Sequence, residues 1–454
     1  MKKGIVDINK EVLRLALPSI VANITIPLVG LVDTAIAGHI SDATAIGGIA
    51  VGTMLFDLLY WNFGFLRVGT SGMTAQAYGR GDDKGCAQLL AQSMSMAMIA
   101  SVLLIPISMI LIPLCIPIIP CSSEVARFAL DYFEVRIWAA PATLSLFTLK
   151  GWFIGMQDTK STMVCDIVVN MTNIVASYGL AVYTPLGAIG VAHGTLIAQY
   201  VGLVTGATIL LYKYKRYTLN LNTWREWFSW RDMKRLVGLN VNLFVRSLCF
   251  MVVYVGFTAL TSGYGDVLLA VSTIVMKLFM IFSYFIDGFA YAGEALVGRF
   301  VGQSDVMQDA QNIRPTTRVL MFWAIGVGLL FTLLYVVASP LFYKMMTSDV
   351  RVLEALHDFT PWVIAMPLIS ALAFMWDGVY IGATAGKQIR NAMIYAAIGF
   401  ILGYWLTREQ LGIHAVFVGY FLHLVARVVY LTIEWRVVYK NILNKTSYET
   451  IRES

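Results

Sequence analysis

The chain has 454 residues, of which 58% are hydrophobic and only 13% are charged, and its mean hydropathy is +0.71. A soluble globular domain carries about 25% charged residues, so this composition excludes the soluble class and predicts an integral membrane protein. The net charge of +6 is small for the length and gives no indication of a nucleic-acid partner.

Long apolar runs follow one another along the chain. A helix needs about 20 mostly apolar residues to cross a bilayer, and these runs are too long and alternate too little for a transmembrane β-barrel. The segments that meet this requirement are 12–38, 45–70, 88–112, 127–152, 162–183, 187–212, 236–262, 267–298, 317–341, 351–381, 390–407 and 412–437. We therefore predict an all-α protein with twelve transmembrane helices.

Positive charge is distributed unevenly between alternate loops. If the N-terminus is cytoplasmic, most lysines and arginines fall on the cytoplasmic side. The opposite side receives Arg127, Lys344, Arg351 and Arg408. Cytoplasmic loops of membrane proteins carry the excess of basic residues, so we expect both termini to lie in the cytoplasm.

A polar stretch divides the chain near its middle. Residues 213–235 interleave tryptophans with basic residues, as in "WREWFSW", which is typical of an amphipathic segment on a membrane surface. We interpret it as a cytoplasmic linker, with a lipid or partner site as the alternative. It separates an N-lobe (1–212, helices 1–6) from a C-lobe (236–440, helices 7–12), and 441–454 form a cytoplasmic tail.

The two halves resemble each other in sequence. The matching pairs are "GMTAQAYGRGD" (72–82) with "ALVGRFVGQSD" (295–305), "WFIGMQDTK" (152–160) with "VYIGATAGK" (379–387), and "PLGAIGVAHG" (185–194) with "QLGIHAVFVG" (410–419). Six spans per half make the repeats parallel. Transporters built from such repeats bind their substrates between the halves, near the middle of the bilayer.

One acidic residue lies deep in the first apolar segment. Asp33 stands in "GLVDTAIAGH" (30–39), and a carboxylate among lipid is costly enough that intramembrane acids are functional by default. The alternative is a buried Asp held by a hydrogen bond between helices. Pro27 in the same span donates no backbone hydrogen bond and allows the helix to bend. A carboxylate beside a bendable point is what a proton or cation switch needs.

Span five contains the predicted partners of Asp33. The stretch "CDIVVNMTNIVAS" repeats polar residues on one face of a helix. These residues are Asp166, Asn170, Asn173 and Ser177. If they face Asp33, these residues could bind a cation or change the pKa of Asp33 by hydrogen bonding. Thr195 on span six is a further candidate for the same site. The alternative is hydrogen bonding between helices without transport chemistry.

The second half has a polar set of its own. Asp287 and Asp377 lie within apolar spans, as do Arg246 and Lys277. A lone charge in hydrocarbon is expensive, so we expect these acids and bases to pair with one another. A role in transport is the equally weighted alternative.

Sulfur-containing and aromatic side chains are abundant in the apolar spans. Met54, Phe63 and Met73 could line an adaptable apolar cavity. The alternative is the ordinary one, in which such residues face lipid or the core.

Enzymatic signatures are missing from the sequence. It contains no HExxH, GxSxG or Walker A motif and no cluster of Cys and His. We therefore expect neither an enzyme nor a metal site, cofactor or nucleotide site. Any uphill transport would draw on a gradient of H⁺ or Na⁺.

Four strings point to a known family. They are "RLALPSIVANITIPLVGLVDTAIAGHI" (14–40), "FLRVGTSGMTAQAYG" (65–79), "DGFAYAGEALVG" (287–298) and "DGVYIGATAGKQIRNAM" (377–393). The first closely resembles the first helix of the multidrug and toxic compound extrusion (MATE) family, in its DinF-like branch. The others resemble that branch in spans two, eight and ten to eleven. The resemblance covers nearly the whole chain.

This resemblance implies a fold, an activity and roles for residues. The implied fold is two six-helix lobes around a V-shaped cleft, and the implied activity is antiport of organic compounds against protons or sodium. Asp33 would be the coupling carboxylate of the first helix. Two asparagines, Asn170 and Asn173, match the family's fifth-helix pattern, in which a later Asp often follows. Ser177 stands there instead, which favours protons over sodium.

The resemblance extends to the C-lobe and to the cell. Asp287 and Asp377 match acidic positions of the DinF-like branch. We expect a monomeric secondary exporter of small organic, often cationic, compounds in the lipid bilayer of a bacterial inner membrane. Protonation of Asp33 would bend helix 1 near Pro27 and switch the N-lobe pocket. The alternative is a lipid-linked precursor flippase, which cations such as Arg246 would suit.

Overall fold

The protein is almost wholly helical. A computed structural model describes residues 4–40, 43–119, 121–218, 230–307 and 310–453, and no strand occurs among them. The α-helices are α1 (Ile5–Ile40), α2 (Ala43–Phe63), α3 (Phe65–Arg80), α4 (Asp83–Cys115), α5 (Ser123–Arg136), α6 (Ala140–Gly155), α7 (Thr159–Tyr183), α8 (Gly190–Lys213), α9 (Lys215–Thr218), α10 (Trp230–Ser262), α11 (Asp266–Met307), α12 (Ile313–Met346), α13 (Val350–Gly382), α14 (Gly386–Leu411) and α15 (His414–Glu453). Short 3-10 helices are Ile116–Ile118, Ile137–Ala139 and Gly187–Ile189.

The observed helices account for every predicted span. Within the described part of the chain, 11 helical segments are long and apolar enough to cross a membrane. The remaining predicted span, 127–152, falls on α5 and α6, which the 3-10 turn Ile137–Ala139 interrupts. Pro141 in the first turn of α6 explains the interruption, because it has no N–H to donate to the carbonyl one turn earlier.

The predicted linker is only partly described. Its tryptophan-rich core, 219–229, lies outside the described residues, and its ends form α9 and the first turn of α10. At the other end of the chain, α15 continues to Glu453, so that 441–453 extend the last helix.

Packing divides the chain into two units. We call Val21–Val237 the N-unit, and Met1–Ile20 together with Gly238–Ser454 the C-unit. The first half of α1 therefore packs with the later helices, whereas the predicted N-lobe begins at residue 1.

Two polar contacts hold the start of α1 within the C-unit. The Arg299 guanidinium on α11 donates to the Glu11 carboxylate at 2.6 Å, and the Trp323 indole on α12 donates to the Asn9 side chain at 2.8 Å. Both contacts fix a turn of α1 that precedes the boundary at Ile20.

The internal repeat is visible in the backbone. Gln157 and Thr384 occupy the same place in the matched segments, and both have positive φ, at 62° and 52°. These are the non-glycine residues with positive φ in the described chain, a conformation that is uncommon without glycine. Gly187 and Gly412 in the third matched pair have φ of 53° and 54°. Each half thus makes the same turns at the same places.

Each unit also contains the same kind of close helix contact at an equivalent glycine. A Cβ on Gly151 of α6 would lie 2.3 Å from the Arg67 carbonyl oxygen on α3. The equivalent Gly378 of α13 would place its Cβ 2.4 Å from the Ala290 carbonyl oxygen on α11. Small residues allow this backbone contact between membrane helices.

A buried carboxylate joins the start of α7 to the end of α8. Asp158 caps α7 through Ser161, and it accepts hydrogen bonds from Lys213 at 2.7 Å and Tyr214 at 2.8 Å. Burial works to raise the pKa of Asp158, but these hydrogen bonds outweigh it and hold the pKa below its ordinary value. Ala385 stands at the equivalent position of the C-unit and makes no side-chain cap. This anchor is specific to the N-unit.

Among the glycines of α8, Gly194 lies closest to the backbone of α7. A Cβ on Gly194 would come within 2.4 Å of both the backbone nitrogen and the Oγ of Ser177. Gly179 on α7 has no atom within 4 Å of its Cβ position. The two glycines provide a direct test of helix packing.

We expect Gly194→Ala to lower the thermal unfolding temperature of the purified protein in detergent. Overpacking of a close contact costs about 1–3 kcal/mol. The control Gly179→Ala should leave stability unchanged or raise it by about 0.5–1 kcal/mol, because alanine restricts the unfolded chain. Equal unfolding temperatures for the two variants would contradict the α7–α8 contact.

We also expect Asp158→Asn to destabilise the protein by about 1–3 kcal/mol at neutral pH, since hydrogen bonds to the charged carboxylate are lost. Because the folded-state pKa is lowered, this stabilisation is complete above the unfolded value of about 3.9 and disappears as the pH falls through the folded value. The difference between wild type and variant should therefore shrink in acid.

The control is Asp349→Asn, which removes another helix-capping carboxylate. Asp349 pairs with Arg351 on the surface, and 76% of the Arg351 side chain is exposed, so its loss should cost less. Unfolding temperatures measured at pH 7 and below pH 4 would reveal both effects. A gap for Asp158→Asn that persists in acid would argue against the charged anchor.

Candidate functional site

Asp33 lies on α1 in the N-unit with an unsatisfied oxygen. The residue is half-buried, and its buried Oδ1 has no hydrogen-bond partner in the part of the chain that the structure describes. The hydrogen bond between helices that would make Asp33 purely structural is therefore not formed at this atom. A buried acceptor without a donor is unfavourable by about 1–3 kcal/mol. A bound proton or cation would remove this cost.

The helix turn before Asp33 carries a glycine. Among the described residues, no atom lies within 4 Å of the position that a Cβ on Gly30 would take. Pro27 is half-buried, and α1 is helical without interruption through it.

The polar residues of α7 face different neighbours. Asn170 reaches α1, where its Nδ2 donates to Thr25 Oγ1 at 2.5 Å. Asn173 reaches α8, where its Nδ2 donates to Thr195 Oγ1 at 2.9 Å, and its own Oδ1 is buried without a partner. Two of the predicted site residues thus pair with each other, and one contacts the helix that carries Asp33.

The first and last of the predicted polar residues on α7, Asp166 and Ser177, make other contacts. Asp166 forms an ion pair with Lys150 on α6 at 2.8 Å. Ser177 is fully buried, and its hydroxyl donates to the Val191 carbonyl on α8 at 3.4 Å. Gly194 packs directly against Ser177.

The structure adds a cation that the sequence analysis missed. Arg136 ends α5, and its guanidinium donates to Tyr132 Oη at 3.2 Å and to Thr53 Oγ1 at 3.4 Å. The signal was present, because Arg136 is a charge within a predicted span, where a functional role is the default.

The C-unit contains a second charged cluster. Asp377 on α13 accepts hydrogen bonds from Arg246 on α10 at 2.7 Å and from Arg427 on α15 at 2.8 Å. Asp377 and Arg427 are almost completely buried. Arg427, like Arg136, is a charge within a predicted span that the sequence analysis did not single out. One carboxylate between two guanidinium groups leaves this cluster with excess positive charge.

Two residues predicted to belong to the polar network of the C-unit, Lys277 and Asp287, do not take part in the hydrogen bonds to Asp377. Lys277 is exposed on α11, and among the described residues no carboxylate pairs with it. Asp287, also on α11, is half-buried. Asp377 thus pairs with Arg246, as expected, and its second partner is Arg427 and not Lys277.

The predicted cavity residues occupy different environments. Met54 on α2 is 44% exposed, whereas Met73 on α3 is buried at 7%. Phe63 packs against the core of the N-unit, with its ring centroid 5.9 Å from that of Phe65. Of the three, Met54 is therefore the residue accessible to a ligand or to lipid.

Comparison with known proteins identifies the family. The MatE family model matches residues 18–179 and 243–407. The DNA damage-inducible protein F of Escherichia coli is 32% identical, covering 95% of this chain and 93% of its own length. A probable multidrug resistance protein NorM of Thermotoga maritima is 24% identical over 78% of this chain and 75% of its own.

Solved structures show the same fold. An outward-facing multidrug resistance MATE family transporter of the MOP superfamily superposes with a TM-score of 0.85 at 17% identity, covering 98% of this chain and 99% of that one. A MATE protein in complex with MaL6 gives a TM-score of 0.84 at 17% identity, with 98% and 100% covered. These likenesses confirm the predicted all-α fold with twelve membrane helices.

The family model, the similar sequences and the solved structures all indicate the same family, and together they cover nearly the whole chain. The matched regions include the helices that carry Asp33, Asn170 and Asp377. This chain is therefore a multi-pass membrane transporter that belongs to the MatE family, as its resemblance to the multidrug and toxic compound extrusion proteins predicts.

Proposed function

We propose that this chain is a secondary active exporter that antiports small organic compounds, often cationic, against protons. It acts in a bacterial inner membrane, as a monomer with both termini in the cytoplasm. Asp33 carries the coupling charge, and its protonation bends α1 near Pro27 and switches the binding pocket of the N-unit. Relatives that are named multidrug resistance proteins support the export of organic compounds.

The observation that carries this proposal is the state of Asp33. Its Oδ1 is buried on a membrane helix and has no hydrogen-bond partner among the described residues. A ligand that binds one charge state of Asp33 better than the other shifts the protein between two conformations. That differential binding is the requirement for coupling a gradient to export.

The hydrogen bonds of α7 support protons over sodium. Asn170, Asn173 and Asp166 already bind Thr25, Thr195 and Lys150, and Ser177 binds a backbone carbonyl. Hard cations need several oxygen ligands at once. In this set the buried oxygens without a partner are Asp33 Oδ1 and Asn173 Oδ1. A proton needs only one of them.

A second candidate function follows from the Asp377 cluster. Two guanidinium groups against one carboxylate suit an anionic ligand, as a lipid-linked precursor flippase would require. Expression in a pump-deficient bacterium separates the two functions. Greater tolerance of organic cations supports the exporter, and no change for any compound favours the flippase.

We expect Asp33→Asn to abolish efflux of a fluorescent organic cation from proteoliposomes under an imposed pH gradient, because the amide cannot exchange a proton. Wild-type efflux should follow the pH gradient and be unaffected by removing sodium. The control Asp349→Asn removes the half-buried capping carboxylate at the start of α13 and should pump at the wild-type rate.

Other outcomes have defined meanings. Wild-type efflux that requires sodium would move the coupling to a cation site shared with α7. An Asp33→Asn protein that pumps like wild type would make Asp33 a packing residue and direct attention to Asp287 and Asp377.

A further inference from the structure

A buried ion pair in the C-unit leaves a neighbouring arginine with uncompensated charge. We propose that Arg246 binds one singly charged oxyanion, a carboxylate or a phosphodiester, while Asp377 and Arg427 hold its guanidinium in position. This binding site goes beyond the export of cations through Asp33 and does not depend on that export. Arg246 is the binding residue, and the other two are positioning residues that act through it.

The three charged side chains meet at one oxygen atom. Arg246 on α10 donates to Asp377 Oδ2 at 2.7 Å, and Arg427 on α15 donates to the same Oδ2 at 2.8 Å. In the part of the chain that the structure describes, neither arginine has a second carboxylate within ion-pair distance. Arginine stays protonated in proteins, so two guanidinium groups and one ionised carboxylate carry a net charge of about +1.

Burial separates the roles of the two arginines. Only 3% of the Arg427 side chain and 6% of the Asp377 side chain are exposed, and the Arg427 Cζ lies 5.7 Å from the centroid of the Phe374 ring. These two residues form an inner pair whose charges balance. The Arg246 side chain is 24% exposed. A ligand can therefore reach Arg246, and the positive charge that it meets there has no partner of its own.

Hydrogen bonding within this cluster is incomplete. The Nε atoms of Arg246 and Arg427 and the Oδ1 of Asp377 are buried, and none of them has a partner among the described residues. Buried polar groups in proteins are almost always hydrogen-bonded, and an exception calls for an explanation such as a bound ion. A guanidinium has five N–H donors, and Asp377 accepts a hydrogen bond from one of those on Arg246. The cluster therefore retains donors for an oxyanion.

Geometry and charge together select the class of ligand. The planar fork of arginine donors matches the paired oxygens of a carboxylate or a phosphate group. Because the bond to Asp377 already fixes the Arg246 guanidinium, less side-chain freedom is lost when the ligand binds. One negative charge then balances the set and removes the cost of an uncompensated cation away from water.

Two sources can supply such a group, a soluble organic acid or the headgroup of an anionic lipid. Both present the same chemistry to Arg246, so the experiment has one arm for each. Benzoate and diethyl phosphate are the soluble probes. Phosphatidylglycerol in mixed micelles is the lipid probe, and zwitterionic phosphatidylcholine is its comparison.

The measurement is the unfolding temperature of the purified full-length protein in a neutral detergent, titrated with each probe. A ligand that binds the folded protein raises this temperature with concentration, and the titration gives an apparent dissociation constant. Ionic strength is kept constant in the soluble arm, so that the screening of surface charges does not change.

The variants separate direct contact from charge balance. Arg246→Gln removes the binding residue, and Arg427→Gln leaves Arg246 balanced by Asp377. Both should weaken binding about tenfold or more, because a charged hydrogen bond or the net positive charge is lost. The double variant Asp377→Asn/Arg427→Gln again leaves one net positive charge on Arg246, and its affinity should return to within about threefold of wild type.

The matched control is Arg351→Gln, which removes a guanidinium from the same helix as Asp377. Arg351 also pairs with an aspartate, but 76% of its side chain is exposed. This variant should bind the probes like wild type. A change of stability without a ligand does not enter the comparison, since each variant is measured with and without the probe.

Contrary results have distinct meanings. If no probe raises the unfolding temperature of wild type, or if Arg246→Gln and Arg351→Gln bind equally, the oxyanion site is wrong. A double variant as weak as Arg427→Gln would overturn the positioning role of the inner pair. A response to the soluble probes alone, or to phosphatidylglycerol alone, supports the site and identifies the source of its ligand. Efflux of organic cations is not measured here, so a failure of the exporter proposal leaves this test unaffected.

Discussion

The free energy of placing charge away from water constrains the polar interior of this protein. A buried ion pair can offset much of that cost, but an unbalanced set of charges cannot. In the N-unit, the buried Oδ1 of Asp33 has no hydrogen-bond partner among the described residues, whereas in the C-unit Asp377 accepts hydrogen bonds from two arginines. The first site lacks a donor, and the second has two guanidinium groups on one carboxylate. A transporter needs such incomplete sites, because its ligand has to complete them.

The two halves share a backbone and differ in their side chains. Positive φ at Gln157 and Thr384, and glycine contacts at Gly151 and Gly378, recur because the same helix packing is built twice. Asp158 and its hydrogen bonds occur in the N-unit alone. Packing therefore preserves the turns and small residues of the repeat, and the polar positions are free to specialise.

Sequence reasoning predicted the spans and the repeat because both depend on local properties. Apolar length determines whether a segment can cross a bilayer, and glycine and turn residues mark where it ends. The helical period also places Asp166, Asn170 and Asn173 on one side of α7. It does not say which neighbour each residue meets, since that depends on how the helices pack. The structure assigns them to α6, α1 and α8 in turn.

The sequence analysis missed two arginines and interpreted one serine in chemical terms alone, each for an identifiable reason. Arg136 and Arg427 are single charges within apolar runs, and only the fold shows which groups they contact. Ser177 was interpreted as a lost ligand, because the family often has Asp there. Its contact with Gly194 provides a packing reason for a small residue. A departure from a family pattern can therefore reflect close helix contact as well as changed chemistry.

The division of α1 between the units bears on the proposed switch. Glu11 and Asn9 hold its first turns to the C-unit through Arg299 and Trp323. Later turns belong to the N-unit, where Asn170 binds Thr25.

Pro27 lies between the polar anchors at the start of α1 and Asp33, the proposed coupling carboxylate. A proline removes one hydrogen bond from the helix and makes bending at that point less costly. A helix fixed at its start cannot respond to a change of charge at Asp33 by sliding as a rigid rod without breaking the Glu11–Arg299 pair. Bending near Pro27 leaves that pair intact. The anchors therefore favour a bend over a shift of the whole helix as the motion that protonation of Asp33 would drive.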